Sequence, residues 1–439
     1  MINNLTIGIR REDKSKWEKR TPLIPSAVEK LFKKFKIRSI VQPSSTRIYP
    51  DEEYINKGAI LSNDLSQCKV VFGVKEIPEE CITPDQTYVF FSHTIKGQPY
   101  NMPMLQRLID LRCTLIDYEK ITDCSGKRII FFGRFAGLAG MIDTLWTFGK
   151  RLGKNITNPF TQITPTYQYS SLEKAKEAIS SVGDLIKKGN IDDSISPLIC
   201  GFAGYGNVSM GAQEIFDLLP AYEITPSELC DKSFTHNLSK RYVYKVIFKE
   251  EDTVQHVDHN ASFILDDYYS HPLLYRSKFN RYIQHLSILI NATYWDSSFP
   301  RLITKKYMKN LFSKNKTQKL KVIGDISCDV EGAVECTVSC ATLDHPVYIY
   351  DPIHDKTKDG FTGRGVAIMA VDNLPCELPM ESSKDFSEKL MQFVPSIVKD
   401  DYINSYDKCT LPDPVKKAVI VYKGKLAKDY SYIQQYLDL

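Results

Sequence analysis

The stretch from Pro197 to Ala212, Pro-Leu-Ile-Cys-Gly-Phe-Ala-Gly-Tyr-Gly-Asn-Val-Ser-Met-Gly-Ala, does most to constrain how this 439-residue chain can fold. An apolar run there passes through a cluster of glycines into a helical pattern. Val208, Ala212, Ile215, Phe216 and Leu219 recur at helical spacing until Pro220 stops them. Strand, tight turn and helix in that order belong to α/β folds. Gly204 and Gly206 fall where the backbone must turn sharply, and Asn207, Val208 and Ser209 open the helix, whose free N–H groups and positive dipole end attract a dinucleotide pyrophosphate. The third glycine of the usual G-x-G-x-x-G is Ser209, with Gly211 two residues on. The expectation of a dinucleotide therefore rests on the flanking strand and helix as much as on the glycines.

A chain of this length can hold two or three domains, and its hydrophobic content of 43% is ordinary for a soluble globular protein. The 57 basic and 53 acidic residues are mixed without a long basic block, so no nucleic-acid partner is indicated. The 11 cysteines are odd in number and scattered, with only Cys336 and Cys340 close together, which argues against a disulfide framework and against a zinc site. No apolar run reaches transmembrane length. The first residues enter a strand pattern directly, without signal peptide or Arg/Ser-rich presequence, so the cytoplasm is the expected compartment.

From the N-terminus, Leu5, Ile7 and Ile9 alternate as in a strand, and Ser26 with Glu29 reads as a capping box before Val28, Leu31, Phe32 and Phe35. Strands near 37–41, 69–74, 88–92 and 114–118 alternate with helical stretches near 51–57 and 101–111, the pattern of a parallel, doubly wound sheet. In such sheets ligands bind beyond the carboxyl ends of the strands. Residues just past those ends include Arg10 and Arg11, Lys75 and Glu76, His93, and Asp117 and Glu119. Singly these side chains are ordinary surface or structural residues; brought to one sheet edge they would make an acid–base site. Residues 127–132 read as a further strand, the small residues Gly133, Gly137 and Gly140 as a close-packing helix face, and 155–169 as a linker.

After the glycine turn, Ala221 to Thr225 reads as the second strand of the nucleotide domain. An acid about twenty residues beyond the glycines binds the ribose 2′-hydroxyl of NAD, whereas its absence leaves room for the 2′-phosphate of NADP. Thr225 stands roughly there, with Glu223 two residues earlier. The polar segment 227–258 reads as an insertion, and His256 and His259 as exposed residues rather than metal ligands. Later strands end at Asn291 and Asp325, and 366–371 adds an apolar run ending at Asp372.

These motifs in this order resemble the lysine-ketoglutarate reductase region of alpha-aminoadipic semialdehyde synthase, related to lysine-forming saccharopine dehydrogenase and to alanine dehydrogenase. The resemblance is carried by Arg10-Arg-Glu-Asp, Trp17-Glu-Lys-Arg20, Gly73-Val-Lys75, Phe90-Phe-Ser-His93, Leu115-Ile-Asp-Tyr-Glu119, Gly204-Tyr-Gly-Asn-Val-Ser209, Tyr294-Trp295, Asp325-Ile-Ser327 and Asp372-Asn-Leu-Pro375. It implies two Rossmann-like doubly wound α/β domains with a cleft between them. One is discontinuous, residues 1–140 plus 346–439; the other, 141–345, binds NADP and carries an insertion near 227–260. It further implies NADPH-dependent condensation of L-lysine with 2-oxoglutarate to saccharopine. Lys75 and His93 would be the acid–base pair, tuned by Glu119 and Glu76. Arg20 and Arg128 would bind the oxo acid's carboxylates. Gly204, Gly206, Asn207, Val208, Ser209, Thr225, Asp325 and Asp372 would face the cofactor. Lys75 can serve near neutral pH only if burial or neighbouring cations depress its pKa. Alternatives are an NAD-dependent, lysine-forming saccharopine dehydrogenase and a non-catalytic nucleotide-binding relative. Animal and plant members of the family carry a further saccharopine-oxidising domain, so this chain is either monofunctional or a fragment. Animal members are mitochondrial, so the resemblance also admits the matrix, and a homo-oligomer.

Overall fold

The computed structural model describes residues 5–314, 318–400, 402 and 404–438. They divide into two compact units, 1–132 with 379–439 and 133–378. Each is built on its own eight-stranded sheet.

In the first unit β1 (Thr6–Ile9), β2 (Arg38–Val41), β3 (Ile60–Leu61), β4 (Val70–Phe72), β5 (Thr87–Phe90) and β6 (Thr114–Asp117) run parallel, in the order β6-β5-β4-β1-β2-β3. The chain winds from β1 outward through β2 and β3, then returns to the other side of β1 for β4 to β6. The winding therefore reverses between β1 and β4, the place where open α/β sheets bind ligands. The strands are short and buried on both faces, as parallel sheets require. The C-terminal hairpin Val419–Tyr422 and Lys425–Leu426 adds antiparallel strands beside β6.

Helices α1 (Pro25–Phe35), α2 (Asp51–Asn56) and α3 (Met102–Asp110) belong to this unit. The expected capping box at Ser26 and Glu29 does not form. Ile24 is the N-cap of α1 and Pro25 its first residue, so Glu29 lies inside the helix and pairs with Lys33 and Lys57 instead. Proline at the first position needs no capped N–H, which moves the boundary upstream.

The second unit opens with α4 (Gly133–Leu152). Residues 127–132, expected as a strand, make one isolated bridge between Thr122 and Arg128, and α4 follows at once. The expected linker 155–169 lies wholly inside this unit, where Phe160 is buried against Gly149 of α4. Next come α5 (Leu172–Lys187), β7 (Leu198–Ala203), α6 (Asn207–Phe216), β8 (Ala221–Glu223) and β9 (Val243–Phe248). A small antiparallel pair follows, β10 (Val254–His256) with β11 (Tyr275–Ser277), and then β12 (Ile288–Asn291), β13 (Val322–Asp325), β14 (Val347–Asp351), β15 (Lys356–Asp359) and β16 (Val366–Met369). The large sheet has the order β15-β14-β16-β13-β12-β7-β9-β8.

Two expectations change here. The unit ends at Leu378 rather than near residue 346, because β14, β15 and β16 pair into this sheet through β13. The supposed insertion 227–260 contains β9, which pairs along its full length with β7 and carries β8 at the sheet edge. Lys245, partnered by Asp217 and Glu223, disguised β9 as a polar stretch. No helix among the described residues is long and apolar enough to cross a membrane.

Candidate functional site

The glycine turn is built where the sequence placed it, at the carboxyl end of β7. Gly204 has φ +94°, in the left-handed region, and a Cβ there would lie 2.8 Å from the carbonyl oxygen of Ala292. Gly206 precedes α6 as its N-cap, and a Cβ there would meet nothing within 4 Å. The first helical bond runs from Met210 N–H to the Gly206 carbonyl, leaving the N–H groups of Asn207, Val208 and Ser209 outside the ladder, beside an open approach. A pyrophosphate fits this cradle. The Ser209 side chain turns inward, where its hydroxyl accepts from Gln213. Gly211 replaces the third motif glycine in function: a Cβ there would lie 2.2 Å from the Arg134 carbonyl oxygen, and one on Gly137 would lie 1.9 Å from that of Val208. Close crossing of α4 over α6 holds the turn in place.

The other expected cofactor residues divide. Asp325 ends β13 but is buried; its carboxylate accepts from Asn291 (2.8 Å), Thr337 (2.5 Å) and the Cys328 N–H (3.1 Å), and burial raises its pKa to about 6. It braces the loop beyond β12 and β13. Asp372 is exposed just past Val371. Thr225 caps the short helix Pro226–Cys230, accepting from the Glu228 N–H while Glu228 accepts from the Thr225 N–H. It follows an edge strand, so it does not stand beside the glycine strand as expected. That place belongs to β9, whose end runs on through Lys249, Glu250, Glu251 and Asp252, a signal hidden by the polar, insertion-like composition around β9.

In the first unit, the ends of β1, β4 and β5 gather a charged cluster. Glu76 accepts from Lys14 Nζ (2.8 Å to each oxygen) and lies 2.7 Å from His93 Nδ1. Burial alone would raise the Glu76 pKa, but the hydrogen bonds from His93 and Lys14 outweigh it and hold the carboxyl well below its usual range. His93 has φ +47°, an uncommon conformation for a residue with a side chain. Asn101 secures it, donating to the carbonyls of Ser92 (3.1 Å) and His93 (3.2 Å).

Beside this pair, the Lys75 pKa is lowered, by burial first and then by Arg20, against opposing pulls from Glu76 and Glu18. Its backbone is fixed by Glu12, which accepts from the N–H groups of Val74 (2.8 Å) and Lys75 (2.9 Å). Burial raises the Glu12 pKa to about 7. Arg20 differs from its expected role. It is 2% exposed, stacks over Phe132 at 4.3 Å, and gives its fork to Glu18 through bonds of 2.7 and 2.6 Å. Buried under that pair it does not offer an open face to a substrate carboxylate. Glu119 pairs with Arg128, which is half exposed. Glu12, Lys14, Glu18 and Asn101 were not singled out from the sequence; Arg10-Arg-Glu-Asp and Trp17-Glu-Lys-Arg20 contain two of them, Glu12 and Glu18, but nothing in their spacing says they return to β4. Among the described residues no group of histidine, cysteine and acid side chains could hold a metal ion.

Residues 8–139 match the N-terminal domain, and residues 274–429 the C-terminal domain, of the alanine dehydrogenase/PNT family. The chain belongs to that family. Its relatives include the alpha-aminoadipic semialdehyde synthase of Arabidopsis thaliana, 39% identical over 98% of this chain and 41% of that protein. The mitochondrial enzyme of that name from Bos taurus is 35% identical over 98% of this chain and 47% of its own length. The chain thus spans less than half of these relatives. A saccharopine dehydrogenase [NAD(+), L-lysine-forming] of Yarrowia lipolytica is 25% identical over 89% of this chain and 92% of that one. Solved structures of an L-alanine dehydrogenase (TM-score 0.62, 15% identity, 98% and 99% covered) and of a transhydrogenase from Sinorhizobium meliloti (0.58, 14%, 96% and 100%) share the fold. As in those relatives, the family member described here is a two-domain, Rossmann-like α/β protein.

Proposed function

We propose that this chain is a lysine-ketoglutarate reductase, an oxidoreductase acting on CH–NH donors that joins L-lysine to 2-oxoglutarate and reduces the product to saccharopine. The observation that carries the reading is Lys75: a half-buried amine whose pKa is depressed by desolvation and by Arg20, next to the hydrogen-bonded Glu76 and His93. The names of the relatives support the substrates.

The chemistry asks for these groups. The ε-ammonium of lysine must lose a proton before its nitrogen can attack C2 of the oxo acid, and Lys75, whose charged form burial and Arg20 disfavour, accepts that proton at Nζ. The carbinolamine then loses water, its hydroxyl leaving with a proton from His93, whose ring Glu76 holds in place. Arg128 is the exposed fork for a carboxylate, released from Glu119 when the oxo acid binds. Arg20 acts as a fixed cation that disfavours the charged form of Lys75. When bound, the nicotinamide dinucleotide supplies the hydride that reduces the imine carbon. The family resemblance favours NADPH, whereas the argument from Thr225 for a 2′-phosphate has lost its footing; the choice falls to residues at the adenosine end. The mitochondrial naming of mammalian relatives supports the matrix as the compartment.

The deciding experiment is a two-substrate assay on the purified chain. Dinucleotide oxidation that requires both lysine and 2-oxoglutarate, with saccharopine as product, is the expected result. Turnover of pyruvate with ammonia, or indifference to lysine, would sink the proposal.

A further inference from the structure

Along the chain Cys340 stands nearest to Cys336, but the fold brings it to Cys328 instead. Asp325, at the end of β13, pins the loop that follows at two points, accepting from the Cys328 N–H (3.1 Å) and from the Thr337 hydroxyl (2.5 Å). Cys328 has φ +56°, in the left-handed region. Its thiol donates to the carbonyl of Ala370, just past β16, at 3.1 Å, and the same carbonyl accepts from the Ala341 N–H at 2.7 Å. The residue after Cys340 is thus anchored on the oxygen that the Cys328 thiol touches. The Cys340 thiol in turn donates to the Cys328 carbonyl at 3.4 Å, and the two thiols are within hydrogen-bonding reach of each other. Cys336 is buried in the core of this unit.

The two sulfurs differ in access. Cys340 is exposed and Cys328 is 8% exposed, so a reagent from solvent meets Cys340 first and Cys328 waits behind it. Once Cys340 loses its proton, the Cys328 thiol is its hydrogen-bond donor. That bond holds the Cys340 pKa down, against burial and the charges of Asp372, Asp325 and Asp329. A thiolate is the reactive form of cysteine, and an open thiolate beside a second thiol is the arrangement of an attacking and a resolving sulfur. The three acids repel an anionic oxidant and leave a small neutral one unopposed.

We propose that Cys328 and Cys340 are a redox pair: a hydroperoxide oxidises Cys340, and Cys328 then closes a reversible disulfide across the loop beyond β13. With hydrogen peroxide, the Cys340 thiolate attacks one oxygen, the O–O bond breaks, and the departing hydroxide takes up the proton that Cys340 released, leaving a sulfenic acid and water. The Cys328 sulfur attacks the Cys340 sulfur, the S–O bond breaks, and the hydroxyl leaves with the Cys328 proton as a second water. Two electrons pass from the thiol pair to the peroxide. The site depends on neither the substrates nor the cofactor proposed above.

The full chain, reduced and then treated with hydrogen peroxide under native conditions, tests this by alkylation of the remaining thiols and mass spectrometry of a non-reducing digest. A peptide joining Cys328 to Cys340 is expected, two hydrogens lighter than its reduced parts and opened by dithiothreitol. Closing a loop of this size restrains the unfolded chain, so the oxidised protein should melt at least about 2 °C above the reduced one. In Cys328→Ser, a sulfenic acid should persist on Cys340 and be trapped by dimedone; in Cys340→Ser, Cys328 should stay a free thiol. Linkage of Cys340 to Cys336, Cys340 driven to sulfinic acid in the wild type while Cys328 stays free, or no reaction at either residue would overturn the proposal. So would a disulfide that brings no rise in melting temperature, because the two sulfurs would then meet only at the expense of the fold. Should a variant not fold, the wild-type digest still decides.

Discussion

Lys75 shows how much a single side chain depends on neighbours far away in sequence. Burial and Arg20 push its pKa down while Glu18 and Glu76 push it up, so each neighbour can be removed with a known sign. Lys75→Met is expected to cut turnover by about 10²-fold or more, the contribution of a positioned acid–base group, while dinucleotide affinity stays within about twofold. Undiminished saccharopine formation by that variant would refute the assignment. Arg20→Met removes a cation, raises the Lys75 pKa and should move the acidic limb of the kcat/KM profile to higher pH. Glu18→Gln removes an anion and should move the same limb to lower pH. Shifts in one common direction would contradict the proposed role.

Glu12 makes a second residue-scale statement. Its pKa is about 7 in the fold against an ordinary 4.5, so between those values the folded state binds more protons than the unfolded chain. Stability from this group is complete below about pH 4.5 and declines as pH rises towards 7. At ~1.4 kcal/mol per pKa unit the loss is on the order of a few kcal/mol. Urea midpoints at pH 5 and 7.5 should differ less in Glu12→Gln than in the wild type.

At the scale of elements, the crossing of α4 and α6 does work that the glycine motif alone does not reveal. Gly137→Ala or Gly211→Ala would drive a methyl group into the carbonyl of Val208 or Arg134. Overpacking of this kind costs about 1–3 kcal/mol, and because α6 carries the phosphate-facing N–H groups, calorimetry should show weakened dinucleotide binding together with the lowered melting temperature. Gly126→Ala, where a Cβ meets open space, tests strain at positive φ without a clash and should leave binding unchanged. The periodicity of residues 197–219 announced this strand, turn and helix correctly. It could not announce β9, because a central strand was masked by Lys245 and its acidic partners, nor the end of the helix pattern at Ser26, because proline displaced the cap to Ile24.

At the scale of the molecule, the first unit is discontinuous. Residues 379–439 return to it: the hydroxyls of Ser383 and Ser387 accept from the N–H groups of Thr21 and Ile24, and Phe386 stacks on Phe132 with ring centroids 4.6 Å apart. Phe132 in turn carries Arg20, so the C-terminal segment helps hold the cation that acts on Lys75. A chain ending at residue 378 is expected to lose the cooperative unfolding of the first unit. A fragment of residues 133–378, continuous and with its own buried core, should fold and retain ADP binding. Circular dichroism and calorimetry on the two fragments check both expectations.

Local pattern determined the alternating α/β class, the glycine turn and the strand ends carrying Lys75, Glu76, His93 and Glu119, since hydrophobic period and turn chemistry are properties of neighbours along the chain. Strand order, the enclosure of Arg20 by Glu18, the partnership of Glu119 with Arg128 and the meeting of Cys328 with Cys340 came only with the tertiary structure. Each depends on which distant segments pair, and that is decided by burial summed over the whole sheet.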